Sequence, residues 1–188
     1  TSGTFLANSP FVQEASDLVK KFPGCSFGAH LNITEFSPLT HHHALELLLN
    51  SKGEFAGELI RQTPMNKALN DAIYLEFCTQ IEYLTSLGIP IGHLDSHQYV
   101  HTIPKLFFVL KRVQKTYDIR KVRITRNLFG PDEKISLILK GKKSLFNFWL
   151  RHYYTTYTTQ AFSHFELFYQ CAKLGKLKHD TYEVTVHP

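Results

Sequence analysis

The most informative stretch of this sequence runs from residue 87 to residue 101 and reads Leu-Gly-Ile-Pro-Ile-Gly-His-Leu-Asp-Ser-His-Gln-Tyr-Val-His. Its first part, residues 89–97, is typical of a β-strand. Upstream, residues 66–87 repeat apolar side chains with a helical period, and Gly88 is a natural helix stop. A helix followed by an apolar strand that ends in Asp, Ser and His indicates an α/β fold with polar groups at a strand end.

Outside this stretch, helical and strand-like patterns continue to alternate. Strands are predicted at 4–7, 25–34, 121–125 and 182–186, and helices at 10–22, from Pro104 onward, and at about 132–150 and 161–174. This alternation implies parallel strands joined by crossovers, which an open doubly wound sheet and a (β/α) barrel both satisfy. We expect one domain over residues 1–188 with an elaborated loop at 38–64.

Composition excludes several classes of protein. The net charge of +5 is concentrated only at 111–121 and 140–143, beside amphipathic helical patterns, so we expect no nucleic-acid partner. No apolar run approaches the ~20 residues of a membrane span, and we expect no membrane partner. The three cysteines form no CxxC pair, which favours free thiols in a reducing compartment and a cytoplasmic location.

Histidines recur where the predicted strands end. His30 lies near the end of the second strand, Asp95 and His97 end the strand at 89–97, and His187 follows the last one. In parallel α/β folds the functional site forms at the carboxyl ends of strands. Two histidines from different strands with a carboxylate and an open water position are the usual arrangement of a hydrolytic metal site. Asp95 either faces the metal with His97 or orients a histidine ligand.

Each histidine also has a structural interpretation. A lone His30 or His93 on an apolar strand is commonly a packed core residue. His97 and His101 are four apart, as on a helix face, although Pro104 places the start of any helix after them. The adjacent histidines at 41–43 are expected to be solvent-exposed, since neighbouring residues of a regular element cannot all face one metal.

Three blocks of the sequence resemble the YdjC-like carbohydrate deacetylases, which include chitooligosaccharide deacetylases. Residues 28–34, Gly-Ala-His-Leu-Asn-Ile-Thr, are similar to the family's Gly-x-His-Leu-x-Leu-Thr. Residues 93–101, followed by Pro104, are similar to its Asp-Ser-His-x-His-x-His-x-x-Pro. Residues 182–188, Tyr-Glu-Val-Thr-Val-His-Pro, are similar to its late Glu-x-x-x-His-Pro, and the order and spacing of the blocks agree over 1–188.

The resemblance implies a distorted (β/α) TIM-like barrel and hydrolysis of the N-acetyl group of an amino sugar. It implies His30 and His97 as ligands of one divalent metal ion, magnesium by family practice or zinc by the preference of imidazole. It implies His187 near the reacting amide as the acid that protonates the leaving amine. Arg123, in the Val-Arg that the family also has, and His101 are then candidates for positioning sugar hydroxyls. The expected partner is an acetylated saccharide, with a homodimer as a further possibility.

The sequence departs from the family pattern at two places. The family opens with a strand ending Asn-Ala-Asp-Asp-Phe-Gly, whose aspartates supply a metal ligand and a base, whereas Thr1 begins within a stretch that resembles the second strand. We therefore expect upstream sequence and a barrel incomplete at both termini of this chain. Tyr99 stands where the family has the middle histidine of its motif.

Two other functions are consistent with the sequence. A degenerate, non-catalytic saccharide- or protein-binding domain on the same scaffold accounts for Tyr99 and for the missing Asp-Asp strand. A metal-dependent phosphoesterase would use a similar His/Asp site. The phosphoesterase would need a phosphate-gripping glycine-rich turn between a strand and a helix, and the sequence has none.

Overall fold

The computed structural model describes residues 1–130 and 133–186, and the chain divides into two compact units, 1–119 and 120–188. Both units combine α-helices with short parallel β-strands, which confirms the predicted α/β class. The described strands lie in one sheet of three strands and one sheet of two. These small sheets form no closed barrel within the described ranges.

The first unit is built on a three-stranded parallel sheet in the order β1-β2-β3. The strands are β1 (Ser2–Phe5), β2 (Ser26–Leu31) and β3 (Ile91–Ser96). His30 of β2 is the register partner of Asp95 of β3, so the two side chains lie next to each other on the same face. The register alone therefore brings together two of the predicted site residues.

The helices of the first unit connect and cover these strands. They are α1 (Val12–Asp17), α2 (Leu59–Gln62), α3 (Lys67–Ser86) and α4 (Phe107–Tyr117), with 3-10 segments at Val19–Lys21, His43–Leu48, His97–Thr102 and Pro104–Leu106. The predicted start of a helix at Pro104 is confirmed, since the 3-10 turn there continues directly into α4.

Helix α3 is the main core helix of this unit. Asn66 caps it, because its side-chain oxygen accepts the N–H of Leu69 at 2.8 Å, and Gly88 with φ of +79° follows its end. The predicted stripe is almost completely buried; it comprises Leu69, Ile73, Phe77, Ile81 and Leu84. Burial of this stripe against β2, β3 and α4 accounts for much of the hydrophobic stabilisation of the unit.

The first helix is shorter than the sequence predicted. The apolar period indicated one helix over 10–22, but α1 ends at Asp17 and a separate 3-10 turn follows at Val19–Lys21. Val12 and Val19 are buried, whereas Phe11, Leu18 and Phe22 are exposed. These three residues follow the apolar period of the predicted helix, but the face that they form is exposed.

The segment 38–64 is a long loop with secondary structure of its own, and it packs on α3. It contains the 3-10 turn His43–Leu48, an antiparallel bridge between Leu49 and Phe55, and α2. Buried Glu76 of α3 anchors its start by accepting the backbone N–H groups of Leu39 and Thr40 at 3.1 and 2.9 Å. The elaborated loop predicted here therefore has a fixed conformation.

The adjacent histidines in this loop were predicted to be solvent-exposed. His41 and His43 are exposed, but His42 is half-buried, and its Nδ1 accepts the N–H of Ala44 at 3.2 Å. His42 thus caps the 3-10 turn, which the sequence pattern did not indicate.

The second unit contains a two-stranded parallel sheet and two longer helices. Its elements are α5 (Leu137–His152), β4 (Ala161–His164), α6 (Phe165–Lys173) and β5 (Tyr182–Thr185). The predicted final strand is confirmed, whereas the helix predicted from residue 161 begins four residues later because Ala161–His164 pairs with β5. The strand predicted at 121–125 is reduced to one bridge between Lys121 and Tyr157.

Two predictions about the environment of the chain can be compared with the described ranges. None of the helices there has the length and apolar character that a bilayer span requires. Cys78 and Cys171 are buried and Cys25 is half-buried, and all three are free thiols.

Candidate functional site

The carboxyl ends of β2 and β3 hold a histidine–carboxylate pair. His30 Nδ1 lies 2.6 Å from Asp95 Oδ1, and the Asp95 side chain is 1% exposed. Since a carboxylate can only accept, Nδ1 carries the proton, and in the neutral ring Nε2 is then the nitrogen with a lone pair. Thr4 of β1 lies at the same end, 3.4 Å from Asp95 Oδ2. Asp95 therefore fixes both the orientation and the tautomer of His30.

A second histidine lies beside this pair. The ring of His97 is 5.6 Å from that of His30, centroid to centroid, in an edge-on arrangement at 68°. His97 Nε2 lies 3.2 Å from the Oε2 atom of Glu35, a half-exposed carboxylate just beyond the end of β2. The site thus contains two imidazoles, each with its own carboxylate partner.

The backbone after His97 has an uncommon conformation. Gln98 and Tyr99 have φ of +47° and +58°, in the left-handed region that side chains with a Cβ seldom occupy. Two hydrogen bonds support the turn: Arg61 Nη2 donates to the Gln98 carbonyl at 3.0 Å, and Thr102 Oγ1 donates to the Tyr99 carbonyl at 2.8 Å. Such strain persists only where surrounding contacts enforce it.

Gly57 shows how closely the 38–64 loop approaches this turn. A Cβ at Gly57 would lie 2.5 Å from the Gln98 side-chain oxygen and 3.2 Å from the Thr34 Cβ, so only glycine fits without movement. Gly57 and Arg61 together place the loop against the residue that follows His97. The loop therefore positions the site as well as covering α3.

The segment that carries Glu35 is held by a buried amide. Asn32 is fully buried, and its Oδ1 accepts the N–H of Thr34 at 2.9 Å while its Nδ2 donates to the Glu35 carbonyl at 2.7 Å. Gln80 of α3 clamps the Asn32 backbone at both its N–H and its carbonyl. Asn8 adds a second donor to the Glu35 carbonyl at 3.1 Å. This network orders the backbone next to Glu35.

The other predicted site residues have different environments. His101 is 1% exposed, and its backbone N–H and Nδ1 both contact Ser96 Oγ, so it stabilises the interior of the turn. In the second unit, Arg123 Nε donates to Glu183 Oε1 at 2.6 Å and the guanidinium lies over the Phe162 ring. His187 lies outside the described residues, and its predicted role stays a prediction.

His30 and His97 are the residues of this site whose ring nitrogens suit a divalent cation. A histidine whose second nitrogen donates to a buried carboxylate is the usual form of a metal-bound imidazole, and His30 has this form. His97 offers a second imidazole within the same cluster. Residues 1–130 and 133–186 contain no group of three or more His, Cys, Asp or Glu side chains placed to hold a metal. The described residues therefore supply two neighbouring imidazoles and no third side chain placed to hold a cation with them.

The class of protein follows from this geometry: an α/β protein with a carboxylate-oriented histidine pair at the ends of parallel strands. The sequence model of the family described as YdjC-like protein matches residues 1–188. The chain belongs to the YdjC-like family, as the three motif blocks predicted.

Curated relatives in this family include two carbohydrate deacetylases. The protein from Vibrio campbellii is 33% identical over 121 residues, which cover 63% of this chain and 45% of the relative. The protein from Geobacillus stearothermophilus is 34% identical over 141 residues, covering 70% of this chain and 55% of the relative. The chain thus spans about half the length of these relatives.

A solved structure shares the fold. A protein from Enterococcus faecalis V583, provisionally assigned to cellobiose-phosphate cleavage, superposes with a TM-score of 0.75 at 22% identity, covering 100% of this chain and 70% of that one. At this identity the likeness concerns the fold alone.

Sequence reasoning missed Glu35 as a member of the cluster. The predicted strand ends at Thr34, one residue before Glu35. A signal was present, because an acidic residue just beyond a strand that carries a candidate ligand lies at the same edge of the sheet. Gly57 and Arg61 gave no such signal, since their contact with Gln98 depends on the fold of the intervening chain.

Proposed function

We propose that this chain carries the histidine pair of a metal-dependent hydrolase that removes the acetyl group from an N-acetylated amino sugar or oligosaccharide. The observation that carries the proposal is the buried Asp95 carboxylate 2.6 Å from His30 Nδ1, with the His97 ring alongside. Membership of a family with curated carbohydrate deacetylases supports the choice of substrate.

The proposed chemistry assigns separate tasks to the residues of the cluster. His30, through Nε2, and His97 would hold the metal ion, which supplies a Lewis acid for an acetyl carbonyl and lowers the pKa of water. Asp95 keeps His30 in the tautomer that can bind a cation. Glu35 limits rotation of the His97 ring. In this proposal His187 donates the proton to the leaving amine.

The metal and the complete fold are also proposals. Imidazole ligands favour zinc, while the resemblance implies magnesium, and metal analysis of the purified protein would decide between them. We propose that the sheet of the first unit is part of a distorted TIM-like barrel. We also propose a cytoplasmic location, based on the three free thiols. A homodimer is proposed as well.

The test compares histidine variants of the protein, expressed with any flanking sequence that its gene encodes. His30→Ala and His97→Ala should each lower acetate release from a chitooligosaccharide by at least about a hundredfold and abolish stoichiometric metal binding. Asp95→Asn should lower both by about ten- to a hundredfold, because the His30 tautomer is no longer fixed. Mass spectrometry of bound metal and a coupled acetate assay measure the two effects.

The matched control is His41→Ala, which removes an exposed imidazole of the 38–64 loop. It should leave metal content and acetate release unchanged. Undiminished acetate release by His30→Ala or His97→Ala would overturn the assignment of the metal site.

A non-catalytic saccharide-binding domain is the second candidate, and Tyr99 favours it. This half-exposed residue, with its left-handed backbone, follows two positions after His97, where the resemblance leads one to expect histidine. The second candidate predicts saccharide binding without acetate release even when metal is bound. Tyr99→His would then restore measurable turnover if the tyrosine is what abolished it.

A further inference from the structure

The second unit contains a cavity that plays no part in the proposed deacetylation. Its volume is about 300 Å³, and one face of α5 forms much of its wall. The lining residues are Asn127, Phe129, Lys140, Lys143, Ser144, Asn147 and Arg151. This volume lies at the lower end of the range for small-molecule sites, about 300 to 1,000 Å³.

The lining is strongly cationic. Lys140, Lys143 and Arg151 recur on α5 at spacings of three and eight residues, which bring them to one face of the helix. None of the described residues that line the cavity is acidic. Glu133, which is not part of the lining, interacts with the charge of Lys143 and pairs with Arg126 through both terminal guanidinium nitrogens. The positive charges of the wall are therefore not balanced by the wall itself.

Several cationic side chains lie around the Phe129 ring. Lys140 Nζ and Lys143 Nζ lie 5.7 and 5.1 Å from its centroid, and the Arg126 guanidinium lies 5.2 Å from it. A ring face attracts a cation, but it cannot neutralise several at once. The arrangement holds like charges close together and supplies an apolar surface beside them.

The cations are held in place by neutral oxygens. Lys143 Nζ donates to the Arg126 carbonyl at 3.1 Å, and Arg151 donates to Thr158 Oγ1 and to the Thr159 carbonyl at 2.8 and 3.1 Å. These bonds fix the side chains without cancelling their charge. Consistent with this, burial and then the charge of Arg126 lower the pKa of Lys143 below its ordinary value.

We propose that this cavity binds the phosphate group of a small phosphorylated molecule. Two lysines and an arginine match a dianion, and each can make charge-assisted hydrogen bonds with phosphate oxygens. The volume leaves space beyond the phosphate for an organic portion, which Phe129 would contact. Lys140 and Lys143 thereby gain a role that a solvated helix face does not give them. The proposal is independent of the deacetylase assignment, since it uses none of its residues.

In the experiment, the whole protein is titrated with inorganic phosphate, glycerol 3-phosphate and glycerol at constant ionic strength. Isothermal titration calorimetry measures the binding of each. Phosphate and glycerol 3-phosphate should bind at one site with millimolar or lower Kd, and glycerol should not bind. Tighter binding of glycerol 3-phosphate than of inorganic phosphate would identify an ester as the ligand, whereas equal binding would identify the free ion.

Two variants on the same helix separate a built site from general surface charge. Lys143→Gln should weaken phosphate binding by about tenfold, because it removes a charge-assisted bond. Lys142→Gln removes the same charge from an exposed residue outside the lining and should change the Kd by less than about twofold. Circular dichroism and thermal melting confirm that both variants fold. Absence of phosphate binding, or equal weakening by the two variants, would overturn the proposal.

Discussion

Helices α3 and α5 are both long and both carry apolar residues, but they bury them to very different extents. On α3, Phe77 is 1% exposed within a fully buried stripe. On α5, Leu137 and Ile138 are 84% and 73% exposed, and only Asn147 and Leu150 are buried. The comparison teaches that an apolar period identifies a helix but not what covers it. The covering of α3 comes from β2, β3 and α4, which contact it directly.

The largest expected effect comes from truncating one aromatic residue on each helix. Phe77→Ala should lower the free energy of unfolding by about 3 to 5 kcal/mol, because it leaves a cavity in a closed core. Phe148→Ala should lower it by less than about 1 kcal/mol, since this ring is half-exposed and stacks mainly on His152. Urea denaturation followed by circular dichroism measures both values. Equal losses would show that the α5 face is covered in solution.

A buried lysine in the first unit should change the pH dependence of stability, an effect of intermediate size. Lys111 of α4 is 3% exposed, and burial lowers its pKa to about 8. Between that value and the ordinary pKa of about 10.4, the unfolded state binds more protons than the folded state, so stability rises with pH. Stability should therefore increase by about 1 to 2 kcal/mol from pH 7 to pH 10, after allowance for solvent screening.

Variants of two lysines test the origin of this rise. Lys111→Met should flatten the profile of unfolding free energy against pH over that interval, because the titrating group is removed. Lys142→Met, at an exposed position of α5, should leave the rise intact. A profile for Lys111→Met that still rises as in the parent protein would assign the effect to other groups.

The smallest expected effect concerns the helix caps. Asn66 accepts the Leu69 N–H at 2.8 Å at the start of α3, and Ser136 accepts the Leu139 N–H at 3.2 Å at the start of α5. Asn66→Ala should cost about 1 kcal/mol of unfolding free energy, and Ser136→Ala about half of that, because an exposed helix start can bond to water instead. Chemical denaturation distinguishes them; a larger loss from Ser136→Ala would contradict the ranking.

The sequence was sufficient to predict those elements whose side-chain pattern lies within a single segment. The period of α3, its stop at Gly88 and the strands β2, β3 and β5 follow from side-chain patterns within each segment. The resemblance implied His30 and His97 as a pair, and the register of β2 with β3 brings His30 beside Asp95, one of the two arrangements that the sequence left open. These elements decide the fold class and the edge of the sheet where the site lies.

What could not be predicted depends on contacts between distant segments. The four-residue β4 carries no alternation of its own and is a strand because β5 pairs with it. Phe11 is exposed at the start of α1, and the apolar period does not tell which face of a helix other segments cover. Glu35 reaches His97 only because Asn32 and Gln80 order the chain between them. In each case tertiary structure overrides a local preference.

The left-handed pair Gln98 and Tyr99 has a consequence for the order of events in folding. These residues lack the freedom of glycine, so the isolated chain seldom visits their conformation. We expect their turn to become stable only once Gly57 and Arg61 have docked against Gln98. On this expectation His97 reaches its place late, after the sheet and α3 have formed. By the same logic it leaves first when the molecule opens locally, and hydrogen exchange at residues 97–102 should report this opening well before global unfolding.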